Sequence, residues 1–296
     1  MNNSLFDDVA SPVFNDELKK EFIECPFSVL DTKQGDWQKA VKRWKRLGIK
    51  SHLGRDSVVI RSGTDLYRNT GDDYDQKSDY VSIFDPRLCE VVYHWFTKKG
   101  DLILDPFAGG SVRGVVASAM GRNYVGIDVR IEQVDANAEN LQDIRMNHTL
   151  EGQSAWIEAD SSECIPITGE FDFAFTCPPY YDLEKYSDNE SDLSNLGSYE
   201  EFLQRYEGSI QNTFDLLKDG SMFAIVVGDI RDNQGNYRGF VADTIRIAQE
   251  VGFHFYNDAV ILNNLASAPM RARGNMKSGK LVKVHQNLLV FKKDLK

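Results

Sequence analysis

The sequence predicts an α/β fold with a Rossmann-like, mostly parallel sheet of seven strands and helices on both faces. From about residue 81 onward, short apolar runs of strand length alternate with helical stretches. This alternation is typical of a parallel sheet that is covered on both faces. The last two strand candidates have no helix between them, which predicts that the last strand is antiparallel.

The predicted elements follow one another along most of the chain. The strand candidates are 101–107, 124–129, 154–160, 171–177, 221–229, 253–262 and 287–293. The helix candidates are 86–97, 111–121, 131–147, 198–217 and 238–251. We expect residues 263–286 to form a long loop between the last two strands.

The N-terminal part has a different pattern. Residues 1 to about 24 are polar and weakly patterned, and they predict an irregular or peripheral arm. Residues 36–47 predict an amphipathic helix with its apolar side chains on one face, with Asp36 as N-cap and Gly48 as its end. The stretch 62–80 is rich in Gly, Asp and Asn and predicts a loop. We therefore expect an N-terminal arm and basic helical extension over 1–80, followed by one domain over 81–296.

Composition restricts the class of protein. The chain has 296 residues, of which 42% are hydrophobic and 27% charged, as in soluble globular proteins. It has no apolar run of the roughly 20 residues that a membrane span needs, and its N-terminus shows no signal pattern, so we expect a cytoplasmic protein. Its four cysteines are scattered without a CxxC pair, so neither a disulfide framework nor a metal site is expected.

Charge is distributed unevenly. The formal net charge of −11 argues mildly against a nucleic-acid partner. However, nine basic residues stand against two acidic ones between Lys33 and Arg61, and eight against one between Leu265 and Lys296. These two segments are either solvated faces or surfaces that meet a polyanion.

A first motif suggests a cofactor loop. Residues 102–121 read as a strand, a glycine turn and a helix that begins near Ser111. The glycines allow close backbone approach, and the helix start offers N–H groups to a ligand. The run is not G-x-G-x-x-G, so it does not meet the dinucleotide fingerprint. Asp128 ends the second strand and could accept hydrogen bonds from ribose hydroxyls or cap the next helix, while Asp160 follows the third strand.

A second motif suggests where the chemistry takes place. The fourth strand leads into Cys177-Pro178-Pro179-Tyr180. The two prolines fix two φ angles and remove two backbone donors, so the carbonyl groups of this turn can face a ligand. The turn is either such a site or a rigid connection with Cys177 as filler.

Methylation of an amino group on a base would need groups of these kinds. Hydrogen-bond acceptors can localise the lone pair of the amino nitrogen, and an aromatic ring such as Tyr180 can stack on a base that has left the helix. No strong general base is needed. A different mechanism would use Cys177 as a nucleophile on cytosine C6, although those enzymes have the order Pro-Cys.

Both motifs resemble those of amino-methylating DNA methyltransferases. DPFAGG at 105–110 is similar to their S-adenosylmethionine loop, which implies that Asp105, Phe107 and Gly109 hold the methionine part, with Ser111 beside them. SIFDP stands where the family has a further cofactor segment. The resemblance therefore adds three cofactor-contacting candidates: Phe84, Asp85 and Pro86.

The catalytic turn departs from the family pattern. CPPY resembles the signature (D/N/S)-P-P-(Y/F), but its first position is Cys177. The amino group is then held by the carbonyls of Cys177 and Pro178, or by Asp182 or Thr176. The Thr before the motif resembles the form of the signature found with methylation of cytosine N4. Because Cys177 departs from that form, both adenine and cytosine remain possible target bases.

Residues 25–293 as a set resemble phage- and prophage-type DNA modification methylases. The resemblance implies a seven-stranded methyltransferase sheet, S-adenosylmethionine as cofactor and duplex DNA with a flipped base as substrate, in a bacterial or phage-infected cell. It leaves two basic segments for DNA contact. Their candidate residues are Lys42, Arg43, Arg55, Arg271, Arg273, Lys277 and Lys280.

The expected reaction is methyl transfer from S-adenosylmethionine to N6 of adenine or N4 of cytosine in DNA. An RNA methyltransferase or a protein glutamine-amide methyltransferase on the same fold is the main alternative, because a prolyl turn suits any planar nitrogen. A cofactor-binding protein without catalysis is the other, and the unusual Cys177 is the feature that favours it.

Overall fold

The computed structural model describes residues 12–50, 53, 59–60, 84–163, 165–181, 184–185, 193–263 and 268–294. Its helices are α1 Pro12–Phe22, α2 Gly35–Lys45, α3 Pro86–Phe96, α4 Val112–Ala119, α5 Ile131–Asn147, α6 Tyr199–Leu216, α7 Phe240–Val251 and α8 Ala268–Met276. Its strands are β1 Val29–Asp31, β2 Val59–Ile60, β3 Leu102–Asp105, β4 Asn123–Asp128, β5 Ser154–Glu158, β6 Phe171–Thr176, β7 Glu184–Lys185, β8 Leu217–Val227, β9 His254–Leu262 and β10 His285–Lys292. The loop predicted over 62–80 lies outside the described residues.

The main sheet confirms the predicted fold class. Its eight strands lie in the order β1-β9-β10-β8-β6-β3-β4-β5, and β2 pairs separately with β7. The neighbours from β8 to β5 are all parallel. β10 is antiparallel to both β8 and β9, as predicted for the last strand. The carboxyl ends of the parallel strands therefore share one edge with the end of β9 and the start of β10.

The sheet separates two cores because successive strand residues face opposite sides. Ile103 and Phe175 pack with the helices α2 to α5 on one face. Leu104 and Ala174 pack with α6 and α7 on the other. The predicted covering of both faces by helices is confirmed.

The N-terminal segment adds an eighth strand that the sequence did not predict. β1 is parallel to β9 and pairs Leu30 with Ile261, and both side chains are buried. Three residues are too few to show the alternation by which a strand is recognised. The strand is set by its pairing to β9, in which Leu30 and Ile261 are 231 residues apart.

Two segments that we expected to be irregular are helices. α1 lies in the predicted arm, where its end is held by α3: the indole of Trp95 donates to the Phe22 carbonyl at 2.9 Å. α8 lies in the predicted loop and buries only Ala268. A helix with so small a buried face lacks the apolar period that identifies helices in sequence. The prediction of a long loop over 263–286 was therefore wrong, and of the two alternatives for the arm the irregular one was wrong.

Helix α2 begins one residue earlier than predicted. It starts at Gly35, with Gln34 before it, so Asp36 is in the first turn and is not the N-cap. Gly48 follows the helix with a φ of 99°, in the left-handed region that suits glycine at a helix end. Within the described parts of the chain, no helix has the length and apolar character needed to cross a membrane.

Candidate active site

A cavity of about 520 Å³ opens at the edge where the parallel strands end. It is bounded by the turns that follow β3, β4, β5 and β6, together with α3 and the ends of β9 and β10. This is the position at which open α/β sheets bind ligands. Its volume lies within the range typical of small-molecule and cofactor sites.

The glycine turn after β3 is joined to the end of β4. The amide N–H of Gly109 donates to one carboxylate oxygen of Asp128 at 3.0 Å, and the N–H of Arg130 donates to the other at 3.0 Å. The side chain of Asn137 on α5 donates to the Gly109 carbonyl at 2.7 Å. Helix α5 begins at Ile131 with Arg130 as its N-cap, so Asp128 ties the turn in place and is not a helix cap. Gly109 and Asp128 both line the cavity.

Asp105 is fully buried behind the cavity wall. Its carboxylate accepts hydrogen bonds from the hydroxyls of Tyr124 and Thr176, each at 2.7 Å, and it pairs with the Arg113 guanidinium. Burial opposes the charge on Arg113, but the field of Asp105 outweighs it and raises the pKa of Arg113 above its ordinary value. Asp105 and Arg113 thus form a buried ion pair.

Arg113 extends this ion pair to the cofactor turn. Its guanidinium also donates to the carbonyls of Phe107 at 2.6 Å and Ala108 at 2.9 Å. The carboxylate of Asp105 in turn accepts from the Phe107 amide at 3.2 Å. The conformation of the turn therefore depends on a pair of buried charges.

Asp160 follows β5 and lines the same cavity. One carboxylate oxygen accepts from the amide and the hydroxyl of Ser162, at 2.9 and 2.7 Å. The other lies 3.3 Å from Arg205 on α6. These contacts orient the carboxylate at the cavity wall.

The segment before α3 forms another wall. The side chain of Asp85 caps α3 by accepting from the amide of Arg87 at 2.8 Å, and it accepts from the Trp37 indole at 2.7 Å. Burial raises the pKa of Asp85 above its ordinary value, although the Trp37 hydrogen bond acts in the opposite direction. The Phe84 ring meets Phe175 edge-on, with centroids 5.7 Å apart. Phe84 and Asp85 line the cavity, whereas Pro86 is buried in the first turn of α3.

The prolyl turn after β6 faces the cofactor loop across the cavity. All four residues from Cys177 to Tyr180 line the cavity. Thr176, the residue before them, is fully buried and its hydroxyl donates to Asp105. Its donor is therefore used in the core, which leaves the turn itself to contact a substrate. Asp182 lies outside the described residues.

Two amides near Tyr180 were missed by sequence reasoning. The side chain of Gln286, on β10, donates to the Tyr180 hydroxyl at 2.7 Å and accepts from Asn263 at 3.4 Å. The Tyr180 ring also meets Phe240 edge-on, with centroids 6.1 Å apart. Gln286 and Asn263 line the cavity. Gln286 belongs to the HQN run at the predicted antiparallel strand, and only the pairing of β10 with β8 and β9 shows that it faces this site.

The thirteen residues predicted for the cofactor and for catalysis gather at one site but do not all line it. Ten of them line the cavity: Phe84, Asp85, Phe107, Gly109, Asp128, Asp160, Cys177, Pro178, Pro179 and Tyr180. Pro86, Asp105 and Ser111 lie behind its walls and support those that do. The N-terminal extension also contributes Thr32 and Gln38, which the sequence did not indicate.

Ser111 belongs to a buried group of hydrogen bonds around the side-chain amide of Asn140 on α5. Its hydroxyl donates to the side chain of Asn140 at 2.8 Å. The same Asn140 accepts from the Lys50 amide at 3.0 Å and donates to the Gly48 carbonyl at 2.9 Å. Asn140 is 1% exposed, so these bonds form away from water. They join the N-terminal extension to the start of α4.

The predicted basic residues occupy two surfaces. Lys42 is exposed on α2, while Arg43 is exposed but forms an ion pair with Glu90 at 2.6 Å. Arg55 lies outside the described residues. The other predicted residues follow β9, at the same edge of the sheet as the cavity. Arg271, Arg273 and Lys277 are exposed there, and Lys280 is partly buried.

Comparison with known proteins identifies the class. The profile of a family described as DNA methylase, defined by N6 and N4 methylation, matches residues 33–139 and 171–296. These ranges cover most of the chain and include both the cofactor turn and the prolyl turn. The chain belongs to this family of amino-methylating DNA methyltransferases. Membership confirms the predicted cofactor, S-adenosylmethionine.

Curated relatives match over shorter stretches. Type II methyltransferase M.HinfI from Haemophilus influenzae is 41% identical over 51 residues, 17% of this chain and 14% of its own. Type II methyltransferase M2.DpnII from Streptococcus pneumoniae is 46% identical over 55 residues, 19% and 20% of the two chains. A tRNA (guanine(10)-N(2))-methyltransferase, TRMT11 from Dictyostelium discoideum, is 32% identical over 110 residues, 36% and 22%. The chain thus spans about a fifth or less of the length of these relatives.

The cavity fits S-adenosylmethionine in size and chemistry. The cofactor is cationic at its sulfur and amino group, and the wall carries the carboxylates of Asp85, Asp128 and Asp160. Phe84 and Phe107 add apolar surface to the wall. Among the described residues, no cluster of His, Cys, Asp and Glu is arranged to hold a metal ion.

Proposed function

We propose that this protein transfers a methyl group from S-adenosylmethionine to the exocyclic amino group of adenine (N6) or cytosine (N4) in duplex DNA, with the target base flipped into the cavity. The observation that carries the proposal is that the cofactor turn and the prolyl turn line one cavity. Membership in the DNA methylase family supports the same reaction.

The cofactor side of the cavity is assigned to residues after β3, β4 and β5. The turn at Phe107 and Gly109 would hold the methionine part, through backbone groups that Asp105 and Arg113 keep in position. Asp128 would accept hydrogen bonds from the ribose hydroxyls, and Asp160 would stand near the adenine. When bound, S-adenosylmethionine supplies an electrophilic methyl group.

The substrate side is assigned to the prolyl turn. Pro178 and Pro179 carry no N–H, so the turn offers carbonyl oxygens to the two hydrogens of an amino group. These acceptors hold the nitrogen with its lone pair directed toward the cofactor side of the cavity. Tyr180 would stack on the flipped base, and its hydroxyl is anchored by Gln286.

The test is transfer of a labelled methyl group to mixed-sequence duplex DNA, followed by digestion to nucleosides and mass spectrometry. We expect N6-methyladenine or N4-methylcytosine, and the product chooses between the two bases. The variant Tyr180→Ala serves as the control, because it removes a ring at the substrate side only. Absence of label in DNA, with the cofactor bound, would contradict the proposal.

The second candidate is methylation of an amino group in RNA. The similarity to a tRNA methyltransferase over 110 residues favours it. Offering structured RNA and duplex DNA in the same assay distinguishes the two candidate functions. Label that enters RNA in preference to DNA would replace the DNA proposal with this one.

A further inference from the structure

A tight hairpin connects β8 and α7 at the edge where the cavity opens. Arg231 and Tyr237 face each other in an antiparallel bridge. The hairpin is closed by the amide of Asp232, which donates to the Asn236 carbonyl at 2.9 Å, and by the amide of Asn236, which donates to the Asp232 carboxylate at 2.8 Å. This geometry holds the side chains of the hairpin in defined positions beside the cavity.

Two positively charged side chains from different parts of the chain lie close to the Tyr237 ring. The guanidinium carbon of Arg231 lies 3.8 Å from the centroid of this ring. The ammonium group of Lys283, which precedes β10, lies 5.8 Å from the same centroid. An aromatic face attracts cations at such distances. Tyr237 is nevertheless 45% exposed, so it remains open to a partner.

The segment between α8 and β10 lies against this hairpin. A Cβ atom at Gly235 would overlap the ammonium group of Lys280, so the Lys280 side chain crosses directly over the hairpin tip. Residues 277–284, which follow α8, contain three basic side chains and no acidic one. The two segments therefore form a single surface, which we call the hairpin surface. Its members are Arg231, Tyr237, Lys280 and Lys283.

Nearby carboxylates offset only part of this charge. Asp229 lies 3.9 Å from Lys283, and it also accepts a hydrogen bond from the amide of Val241 at the start of α7. Asp232 is bound by the backbone of its own hairpin. Residues 229–238 and 277–284 together hold five basic and two acidic side chains. This local excess contrasts with the net charge of −11 for the chain.

The hairpin surface adjoins the prolyl turn. A Cβ atom at Gly228 would lie 3.7 Å from both the Cε atom of Lys283 and the hydroxyl oxygen of Tyr180. The side chain of Lys283 and the hydroxyl of Tyr180, whose ring would stack on a flipped base, thus both lie beside Gly228. A nucleotide held at Tyr180 would bring the phosphates on either side of it toward this surface.

We infer that the hairpin surface binds the phosphate backbone of duplex DNA next to the flipped nucleotide. This rests on the proposed function for its substrate. Lys and Arg contacts to phosphate give affinity and fix the position of the duplex, without reading its sequence. The Tyr237 ring keeps Arg231 and Lys283 close together on the side from which DNA would approach.

The test is binding of a fluorescein-labelled mixed-sequence duplex, followed by anisotropy over about 50 to 200 mM salt. We expect Arg231→Ala and Lys283→Ala each to raise Kd several-fold and to reduce the slope of log K against log salt by about 0.9. Tyr237→Phe should bind like the wild type, whereas Tyr237→Ala should weaken binding. The matched control is Lys98→Ala, because Lys98 is exposed before β3, at the opposite edge of the sheet.

Unchanged slopes in Arg231→Ala and Lys283→Ala would overturn the inference, provided that both variants melt and bind cofactor like the wild type. Steady-state assays add a second criterion: KM for DNA should rise while kcat at saturating DNA stays the same. Preference for a structured RNA competitor over duplex DNA would also overturn the assignment to DNA. Because binding is measured without turnover, these results are separable from failure of methyl transfer in the wild-type protein.

Discussion

The amide of Gln286 donates a hydrogen bond to the hydroxyl of Tyr180 at 2.7 Å, across 106 residues of sequence. Gln286 is on β10, which is antiparallel to its neighbours, and Tyr180 follows the parallel strand β6. The bond thus joins the last strand to the catalytic turn and fixes the ring that we assign to base stacking. Fixing a ring in advance lowers the entropy lost when a base binds to it.

Gln286→Ala and Tyr180→Phe should each lower kcat/KM for DNA by roughly fivefold, since each removes one hydrogen bond worth about 1 kcal/mol. The double variant should be no worse than either single one, because both substitutions remove the same bond. A double-mutant cycle on kcat/KM measures this coupling. Additive losses would show that Gln286 does not act through the Tyr180 hydroxyl.

Tyr180→Ala should reduce kcat/KM for DNA by about ten- to a hundredfold, because it removes the stacking surface as well as the hydroxyl. Cofactor affinity should be unchanged, since the cofactor is assigned to the walls formed after β3, β4 and β5. Calorimetry with S-adenosylmethionine and methyl-transfer kinetics measure the two effects. If Tyr180→Ala were as active as Tyr180→Phe, the ring would not contribute by stacking on the base.

Asn140→Ala should lower the free energy of unfolding by about 2 to 3 kcal/mol, because it leaves the Lys50 amide, the Gly48 carbonyl and the Ser111 hydroxyl without this partner in a buried place. It should also weaken cofactor binding, since Ser111 lies just after the glycine turn. Urea denaturation and calorimetry measure both quantities. The control is Asn147→Ala, an exposed position on the same helix. Equal losses in the two variants would contradict a special role for Asn140.

Asn140 also illustrates what the sequence could and could not predict. The apolar periods located the strands β3 to β6 and the helices α3 to α7, because these elements bury whole faces in the two cores. Asn140 appeared as an ordinary polar position on a helix, since its partners at Gly48 and Lys50 are about 90 residues away. Tertiary hydrogen bonds of this kind have no periodic pattern in the sequence.

The candidate site also combines features that the sequence predicted with features that it could not predict. The cofactor turn and the prolyl turn were predicted because glycine and proline restrict the backbone locally. Gln286 and Thr32 were missed because they reach the cavity only through the pairing of β10 and β1 with β9. For Asp105 the sequence indicated the position, but only the structure shows that its carboxylate is bound to Arg113, Tyr124 and Thr176.

Asp105→Ala should abolish cofactor binding and lower the free energy of unfolding by about 3 to 5 kcal/mol, because it leaves the Arg113 charge buried without its counter-ion. The Phe107 amide would lose its acceptor, and Arg113, which donates to the Phe107 carbonyl, would no longer be positioned by Asp105. Asp105→Asn keeps the shape of the side chain, and it is the variant to measure if the alanine variant does not fold. Cofactor affinity measured by calorimetry on a folded variant is decisive: full affinity would refute the idea that this pair organises the turn.

Cys177→Ser and Cys177→Ala should both retain methyl transfer, because we assign contact with the amino group to the carbonyls of the turn, and these remain when the side chain changes. The rival mechanism, in which the thiol of Cys177 attacks cytosine C6, requires the sulfur and yields 5-methylcytosine. Labelled transfer followed by nucleoside mass spectrometry distinguishes the two. The buried Cys89 provides the control Cys89→Ala, since burial raises the pKa of its thiol and it lies outside the cavity walls. Loss of activity only in the Cys177 variants, together with 5-methylcytosine from the wild type, would establish the thiol as the nucleophile.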